Sequence, residues 1–185
     1  SKIGINHYQI SNLNWMIKKN KVDEKKPYVI FIPGASKTGE YKRWPIKQYA
    51  DLADKIVTKN SNISFAIVGS KNEFELGEKI RKNVKYAKVI NLSGKLNLEE
   101  TKVVCRDSLF VLGGDCGGLH FAKASKAKVV VITGPTNRDL TAPINTDISI
   151  DMLMRDRPWY NRDNCIKNKN LEIDESMNIS YKVVY

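Results

Sequence analysis

Short apolar runs rich in β-branched and aromatic residues recur along the chain, and amphipathic stretches separate them. The runs are YVIFIP (28–33), SFAIVG (64–69), KVINLSG (88–94), LFVLGG (109–114) and KVVVITGPT (128–136). Runs of this length that alternate with helix-like segments are typical of buried parallel strands joined by crossover helices. The pattern therefore predicts five β-strands.

The amphipathic stretches between the runs predict four helices. They are IKQYADLADKIVTKN (46–60), EFELGEKIRKN (73–83), NLEETKVVCRD (97–107) and GGLHFAKAS (117–125). In the third, Asn97 followed by Glu100 predicts a capping box at the start of the helix. Cys105, on the apolar side of that helix, is expected to be a buried small hydrophobe. After Pro143 the periodicity fades, and no helix or strand is predicted there.

These elements predict an α/β fold, a Rossmann-like doubly wound parallel sheet with strand order 3-2-1-4-5. Ligands of such sheets bind outside the carboxyl ends of the strands where the order reverses, here between strands one and four. The loop after strand one, GASKTGEYKRWP (34–45), and the loop after strand four, GGDCGG (113–118), should therefore face each other.

Composition narrows the class of protein. A chain of 185 residues suits one domain. Its three cysteines and two histidines are too few and too scattered for a disulfide framework or a structural zinc site, which indicates a reducing, cytoplasmic setting. The apolar runs are far shorter than the ~20 residues that a membrane span needs.

The formal net charge of +11 favours anionic partners. The 24 lysines and 7 arginines are spread over the whole length, whereas nucleic-acid readers cluster their basic residues and favour arginine for base contacts. We therefore expect an anionic small molecule or an anionic membrane surface as the partner, and no nucleic acid.

The segment GGDCGGLHFAKA (113–124) has two interpretations. Its G-x-nucleophile-x-G spacing fits a nucleophile elbow with Cys116 as the attacking residue. A cysteine nucleophile, however, needs a histidine base from another part of the fold. The one histidine after it, His120, lies in the same predicted helix, and His7 lies in the polar segment upstream. The hydrolase interpretation is therefore rejected.

The second interpretation is a glycine turn that opens a helix and holds a phosphate. Gly117 and Gly118 would leave the first N–H groups of the helix open to close approach, and Lys42 would arrive from the facing loop. Asp115 would repel a phosphate. It is expected beside the phosphates, where it accepts hydrogen bonds from sugar hydroxyls or helix N–H groups, and the alternative is a helix N-cap without a ligand.

An ordered set of motifs resembles a known family. The motifs are PGAS (33–36), KRWP (42–45), AIVGSKNEFELGEKI (66–80), NLSGKLNLEE (91–100), GGDCGGLHFAKA (113–124) and TGPTNRD (133–139). In this order and spacing they are similar to the C-terminal domain of glycosyltransferase family 9, the bacterial ADP-heptose:lipopolysaccharide heptosyltransferases. The resemblance implies one half of a GT-B fold, in which two Rossmann-like domains close over a cleft and the C-terminal domain binds the nucleotide-sugar donor.

The resemblance also implies which residues bind the nucleotide. Ser36 and Lys42 would contact the diphosphate, Glu73 the ribose, and Leu96 the adenine. Thr136, after the fifth strand, is a further candidate for a ligand contact.

The turn after the fourth strand would hold phosphate and heptose. Asp115, Cys116, Gly117 and His120 match the family's D-[ST]-G-x-x-H segment, and Gly118 follows within the helix start. Cys116 stands where the family has serine or threonine, so a hydroxyl-to-phosphate bond is in doubt there while the backbone N–H remains. At a helix N-terminus this thiol is expected to be unusually acidic.

The domain organisation implied by the resemblance has three parts. Residues 1–27 would be an interdomain connector, 28–145 the nucleotide-sugar-binding domain, and 146–185 a tail that packs on it. The N-terminal acceptor domain would be missing from this chain.

The function implied is inverting transfer of heptose from ADP-heptose to the lipopolysaccharide inner core, either Kdo-lipid A or an already heptosylated core. No cofactor or metal is implied, and the general base is expected in the missing domain. Such an enzyme would be cytoplasmic or peripheral on the inner membrane. Two alternatives stay open: a non-catalytic nucleotide-binding module, and a GT-B transferase or epimerase that uses a UDP-sugar.

Overall fold

The computed structural model of the protein describes residues 27–133 and 141–151. In this part of the chain six strands form one sheet in the order β3-β2-β1-β4-β5-β6, and each pair is parallel. They are β1 (Tyr28–Ile32), β2 (Ser64–Ile67), β3 (Val89–Asn91), β4 (Val111–Gly114), β5 (Val129–Thr133) and β6 (Ile148–Asp151). The predicted order of the first five strands is confirmed.

Helices follow the first four strands. They are α1 (Ile46–Lys59), α2 (Phe74–Asn83), α3 (Leu98–Arg106) and α4 (Gly117–Ala124). Short 3-10 helices at Lys37–Lys42 and Lys71–Glu73 precede α1 and α2. All four predicted helices are confirmed, and each end lies within one residue of the prediction.

The helices cover both faces of the sheet because each buries one apolar stripe. On one face, Tyr49 and Leu52 of α1 and Ile80 of α2 belong to one buried cluster. On the other face, α3 and α4 contribute to a second cluster, which contains the fully buried Cys105 as predicted. Trp44, in the loop before α1, packs edge-on against Tyr49 with ring centroids 4.8 Å apart. This contact anchors the end of the loop that follows β1.

The start of α3 is fixed by the predicted capping box. The Asn97 side chain accepts a hydrogen bond from the Glu100 N–H at 2.8 Å, and the Glu100 carboxylate accepts one from the Asn97 N–H at 2.8 Å. Two N–H groups that the helix itself cannot pair are thereby satisfied.

The sixth strand is an element that the sequence analysis missed. Thr133 of β5 pairs with Asp151 of β6, so part of the predicted tail extends the sheet. Asp147 fixes the approach to β6, since its carboxylate accepts from the Val129 N–H at 2.8 Å and from Lys123 Nζ at 2.7 Å. Most of the predicted connector and of the predicted tail lies outside the described residues.

The central strands approach closely at the switch point. Gly113 of β4 is in register with Ile32 of β1, and a Cβ at Gly113 would lie 2.6 Å from the Ile32 carbonyl oxygen. Glycine is therefore required at this position of β4, beside the carbonyl of Ile32. Within the described ranges, no helix combines the length and apolar character needed to cross a bilayer.

Candidate functional site

A cleft of roughly 860 Å³ opens at the carboxyl ends of β1, β2 and β4. This is the switch point at which doubly wound sheets bind their ligands. Six of the predicted site residues line it: Ser36, Glu73, Leu96, Cys116, Gly117 and Gly118. Four separate segments of the chain thus supply the wall, and the sequence order alone does not bring them together.

The loops after β1 and β4 face each other, as the topology predicted. Lys42 Nζ donates to Asp115 Oδ2 at 3.0 Å, across 73 residues of chain. The Asp115 side chain is only 6% exposed, and the Lys42 side chain is 22% exposed. A carboxylate this deeply buried is stable when a cation neutralises it. The pair therefore joins the two loops and offsets the repulsion that Asp115 alone would exert on a phosphate.

The start of α4 opens into the cleft. Cys116 is the N-cap residue with extended backbone, and its side chain makes no capping hydrogen bond. Gly117 and Gly118 are exposed, and a Cβ at Gly117 would meet no heavy atom of the described residues within 4 Å beyond its chain neighbours and the backbone of α4 itself. The first turn of the helix is therefore accessible to a ligand at its positive end.

The Cys116 thiol corrects an expectation from the sequence. Burial raises its pKa to about 11, and the backbone N–H groups of Leu119 and Gly118 counter that effect only in part. The prediction of an unusually acidic thiol is therefore wrong, because desolvation of the thiolate outweighs the helix N-terminus. At neutral pH the group is a protonated thiol with weak hydrogen-bonding capacity.

Glu73 reaches over the end of β1 from the 3-10 helix that follows β2. Its carboxylate accepts from the Ser70 N–H at 2.6 Å and from the Ser70 hydroxyl at 2.7 Å. A Cβ at Gly34 would lie 1.5 Å from Glu73 Oε1, so glycine at this position is what allows the carboxylate to enter the cleft. The arrangement presents an oriented acceptor to a ligand in the cleft.

Arg43 is a cleft residue that the sequence analysis did not select. One of its terminal nitrogens donates to the Ala35 carbonyl at 3.3 Å, and the other lies 3.0 Å from Glu40 Oε1. Its Nε is buried, and the described part of the chain offers it no hydrogen-bond partner. Its position beside Lys42 in KRWP could have suggested a second cation for the site.

Further lining residues were also missed. Ser70 and Asn72 come from the segment after β2, Leu98 and Thr101 from the first turn of α3, and Phe121 from α4. The sequence does not indicate that Leu98 and Phe121 line a cleft, because their helical spacing fits buried core positions equally well.

Of the predicted site residues that the structure describes, three are not among those that line the cleft: Lys42 and Asp115, which form the ion pair between the loops, and His120. His120 is exposed on α4 and is not part of the cleft lining, and its Nε2 lies 2.8 Å from the Thr141 carbonyl oxygen. Thr136 lies outside the described residues. In the described part of the chain, no group of three or more His, Cys, Asp or Glu side chains could hold a metal ion.

A six-stranded parallel sheet with helices on both faces and a cleft at its switch point defines the class, a Rossmann-like α/β domain. The family model of glycosyltransferase family 9 (heptosyltransferase) matches residues 5–170. The chain belongs to this family of glycosyltransferases.

Individual relatives are consistent with this assignment. The chain is 30% identical over 149 residues to lipooligosaccharide heptosyltransferase 2 of Haemophilus influenzae, which covers 79% of this chain and 42% of that protein. It spans less than half the length of this curated relative.

Solved structures share the fold. The crystal structure of the family 9 glycosyl transferase from Veillonella parvula matches with a TM-score of 0.79 and 17% identity over 98% of this chain and 51% of that one. ADP-heptose lps heptosyltransferase II of E. coli matches with a TM-score of 0.68 and 21% identity over 95% and 51%. The fold is that of one Rossmann-like half of a GT-B glycosyltransferase, as predicted.

Proposed function

We propose that the chain is the nucleotide-sugar donor-binding domain of an inverting glycosyltransferase that transfers heptose from ADP-heptose to the lipopolysaccharide inner core. The observation that carries the proposal is that residues from five motifs of family 9 line one cleft at the switch point of the sheet. The matching E. coli structure is that of an ADP-heptose lps heptosyltransferase.

The cleft has a complementary group for each part of such a donor. The start of α4 and Ser36 suit the diphosphate. The Lys42 ammonium has three N–H donors, and its bond to Asp115 uses one of them. Glu73 is oriented to accept from ribose hydroxyls, and Leu96 lies in the apolar part of the wall, where a base would pack. His120 and Thr136 stay predictions for the heptose side.

The chemistry that this domain would supply is stabilisation of the leaving group. As the glycosidic bond breaks, negative charge builds on ADP, and Lys42 with the N-terminus of α4 would offset it. The base that deprotonates the acceptor hydroxyl would come from a second domain, so this chain alone should bind donor and transfer little. A basic surface suits an acceptor at the cytoplasmic face of the inner membrane.

Calorimetric titration of the chain with ADP, UDP and GDP tests the donor assignment. Three or four charge-assisted contacts, less the cost of association, should give a Kd between roughly 1 µM and 1 mM for ADP. Preference for UDP would refute the ADP assignment and favour a UDP-sugar enzyme.

Lys42→Ala tests whether the facing loops form the phosphate site. We expect it to weaken ADP binding at least about tenfold, which is the loss of one charge-assisted bond. Unchanged affinity in a folded variant would show that Lys42 does not contact the nucleotide.

Coding sequence separates the transferase from a stand-alone binding module. An upstream half of similar size in the same reading frame supports the transferase. An initiator codon directly before Ser1 would refute it.

A further inference from the structure

We propose that Arg43 is a diphosphate-binding residue of this cleft, and that Glu40 occupies its guanidinium until an anionic ligand arrives. The inference rests on the proposed function, because it adds two residues to the same donor site. Neither residue is among the ligand contacts that the family resemblance implies.

The contacts of Arg43 leave one of its donors unused. The guanidinium holds the loop after β1 through the Ala35 carbonyl and Glu40, at 3.3 and 3.0 Å. Arg43 lines the cleft, and its Nε–H is buried with no hydrogen-bond acceptor among the described residues. A buried donor without a partner is unfavourable, and an oxygen of a bound anion would satisfy it.

The two cations of this loop, Lys42 and Arg43, differ in how exposed their carboxylate partners are. Asp115, the partner of Lys42, is 6% exposed and is held inside the fold, whereas Glu40, the partner of Arg43, is 63% exposed. Exposed ion pairs contribute little to stability, so Glu40 can move into solvent at small cost. Of the two cations, Arg43 is therefore the one whose partner a ligand can replace most easily.

An arginine also matches the geometry of the ligand. The planar guanidinium can donate two parallel hydrogen bonds to phosphate oxygens, which a lysine ammonium cannot do. Arg43 shares the cleft wall with Ser36, Gly117 and Gly118, so a diphosphate there would meet a side-chain fork and a helix N-terminus together. When the ligand leaves, the Glu40 carboxylate again neutralises Arg43.

The test is titration of the full chain with ADP and with adenosine. Adenosine has the base and the ribose but no phosphate. Arg43→Gln should weaken ADP binding about tenfold or more and leave adenosine binding unchanged. Arg43→Lys, which keeps the charge and loses the fork, should lie between wild type and Arg43→Gln. Glu40→Gln should tighten ADP binding about threefold, because it removes the competing carboxylate.

Matched controls lie away from the cleft. Arg106→Gln removes an arginine at the exposed end of α3, and Glu75→Gln removes a carboxylate from the surface of α2. Both should leave ADP affinity unchanged.

Two results would overturn the inference. Equal ADP affinity in wild type and Arg43→Gln would exclude the contact. Equal losses for ADP and adenosine would show that Arg43 only shapes the loop. Failure of the proposed function would appear in the wild type instead, as preference for a different nucleoside diphosphate, and the same variants would then be titrated with that nucleotide.

Discussion

The ion pair between Lys42 and Asp115 gives the sharpest test of how the two site loops are joined. Lys42→Met removes the ammonium and keeps an apolar stem, and Asp115→Asn removes the charge with little change of shape. In the wild type, Lys42 Nζ lies 3.0 Å from Asp115 Oδ2, and the Asp115 side chain is 6% exposed. In Lys42→Met, the carboxylate would therefore lose its charge-assisted hydrogen bond without gaining full hydration.

The expected magnitudes follow from this burial. Loss of a charge-assisted bond costs ~1.5–3 kcal/mol, and unpairing a buried charge adds to the penalty, so we expect Lys42→Met to cost roughly 2–3 kcal/mol. Asp115→Asn should cost less, ~1 kcal/mol, because Lys42 is 22% exposed and can be hydrated. The double variant should recover about 1 kcal/mol relative to the sum of the two, since both charges are then gone.

Urea unfolding followed by circular dichroism measures these free energies, without nucleotide and at two salt concentrations. Lys47→Met is the matched control, because Lys47 forms an exposed pair with Asp51 on α1 with its own side chain 77% exposed. It should cost at most ~0.5 kcal/mol, and salt should reduce that cost, while the effect of Lys42→Met should change little with salt. If Lys42→Met costs no more than Lys47→Met, or if the two single changes are additive, the two loops are not held by this pair.

Three further predictions concern single residues. Because burial raises the pKa of Cys116 to about 11, its alkylation by iodoacetamide should be slow at pH 7 and rise about tenfold per pH unit up to pH 10; fast reaction at pH 7 would contradict the burial. Asn97→Ala should destabilise the protein by ~1 kcal/mol in urea unfolding, and an Asn97→Asp variant should retain most of the stability; equal losses in both would exclude the capping role. The hydrogen bond from Lys123, followed by that from the Val129 N–H, lowers the pKa of Asp147. The folded-state pKa lies below the unfolded value, so this contribution is present above roughly pH 4 and is lost as pH falls through the depressed pKa. Asp147→Asn should therefore lower the melting temperature at pH 7 and have a shrinking effect below pH 4; an equal effect at both pH values would show that the charge is irrelevant.

Periodicity predicted the first five strands well because each is a short, largely apolar run next to an amphipathic helix. It missed β6, since Ile148–Asp151 alternates apolar and polar residues at the edge of the sheet and follows a segment without a helical pattern. Edge strands bury less apolar surface, so the signal that marks the central strands is weak there.

The parts of the candidate site that depend on sheet topology could be predicted from the sequence. The parts that depend on local packing and electrostatics were harder to predict. That the loops after β1 and β4 face each other followed from strand order, whereas the hydrogen bond between Lys42 and Asp115 that joins them was not predicted. The acidity of the Cys116 thiol was predicted wrongly, because the depth of its burial depends on packing that no linear motif encodes. Arg43 was missed for a similar reason, since only the folded loop brings this residue to the cleft and leaves its Nε buried without a partner among the described residues.

The contacts of Asp147 at one end of helix α4 have a consequence for the other end of that helix. Helix α4 begins in the cleft, and Lys123, in its last turn, is tied to Asp147 beside the first residue of β5. A helix clamped at its far end presents a preorganised N-terminus, so an anion that binds there loses little affinity to ordering of the protein. Affinity at the cleft should thus depend on a carboxylate at the other end of the helix, and selection for ligand binding would act on a residue that no ligand touches.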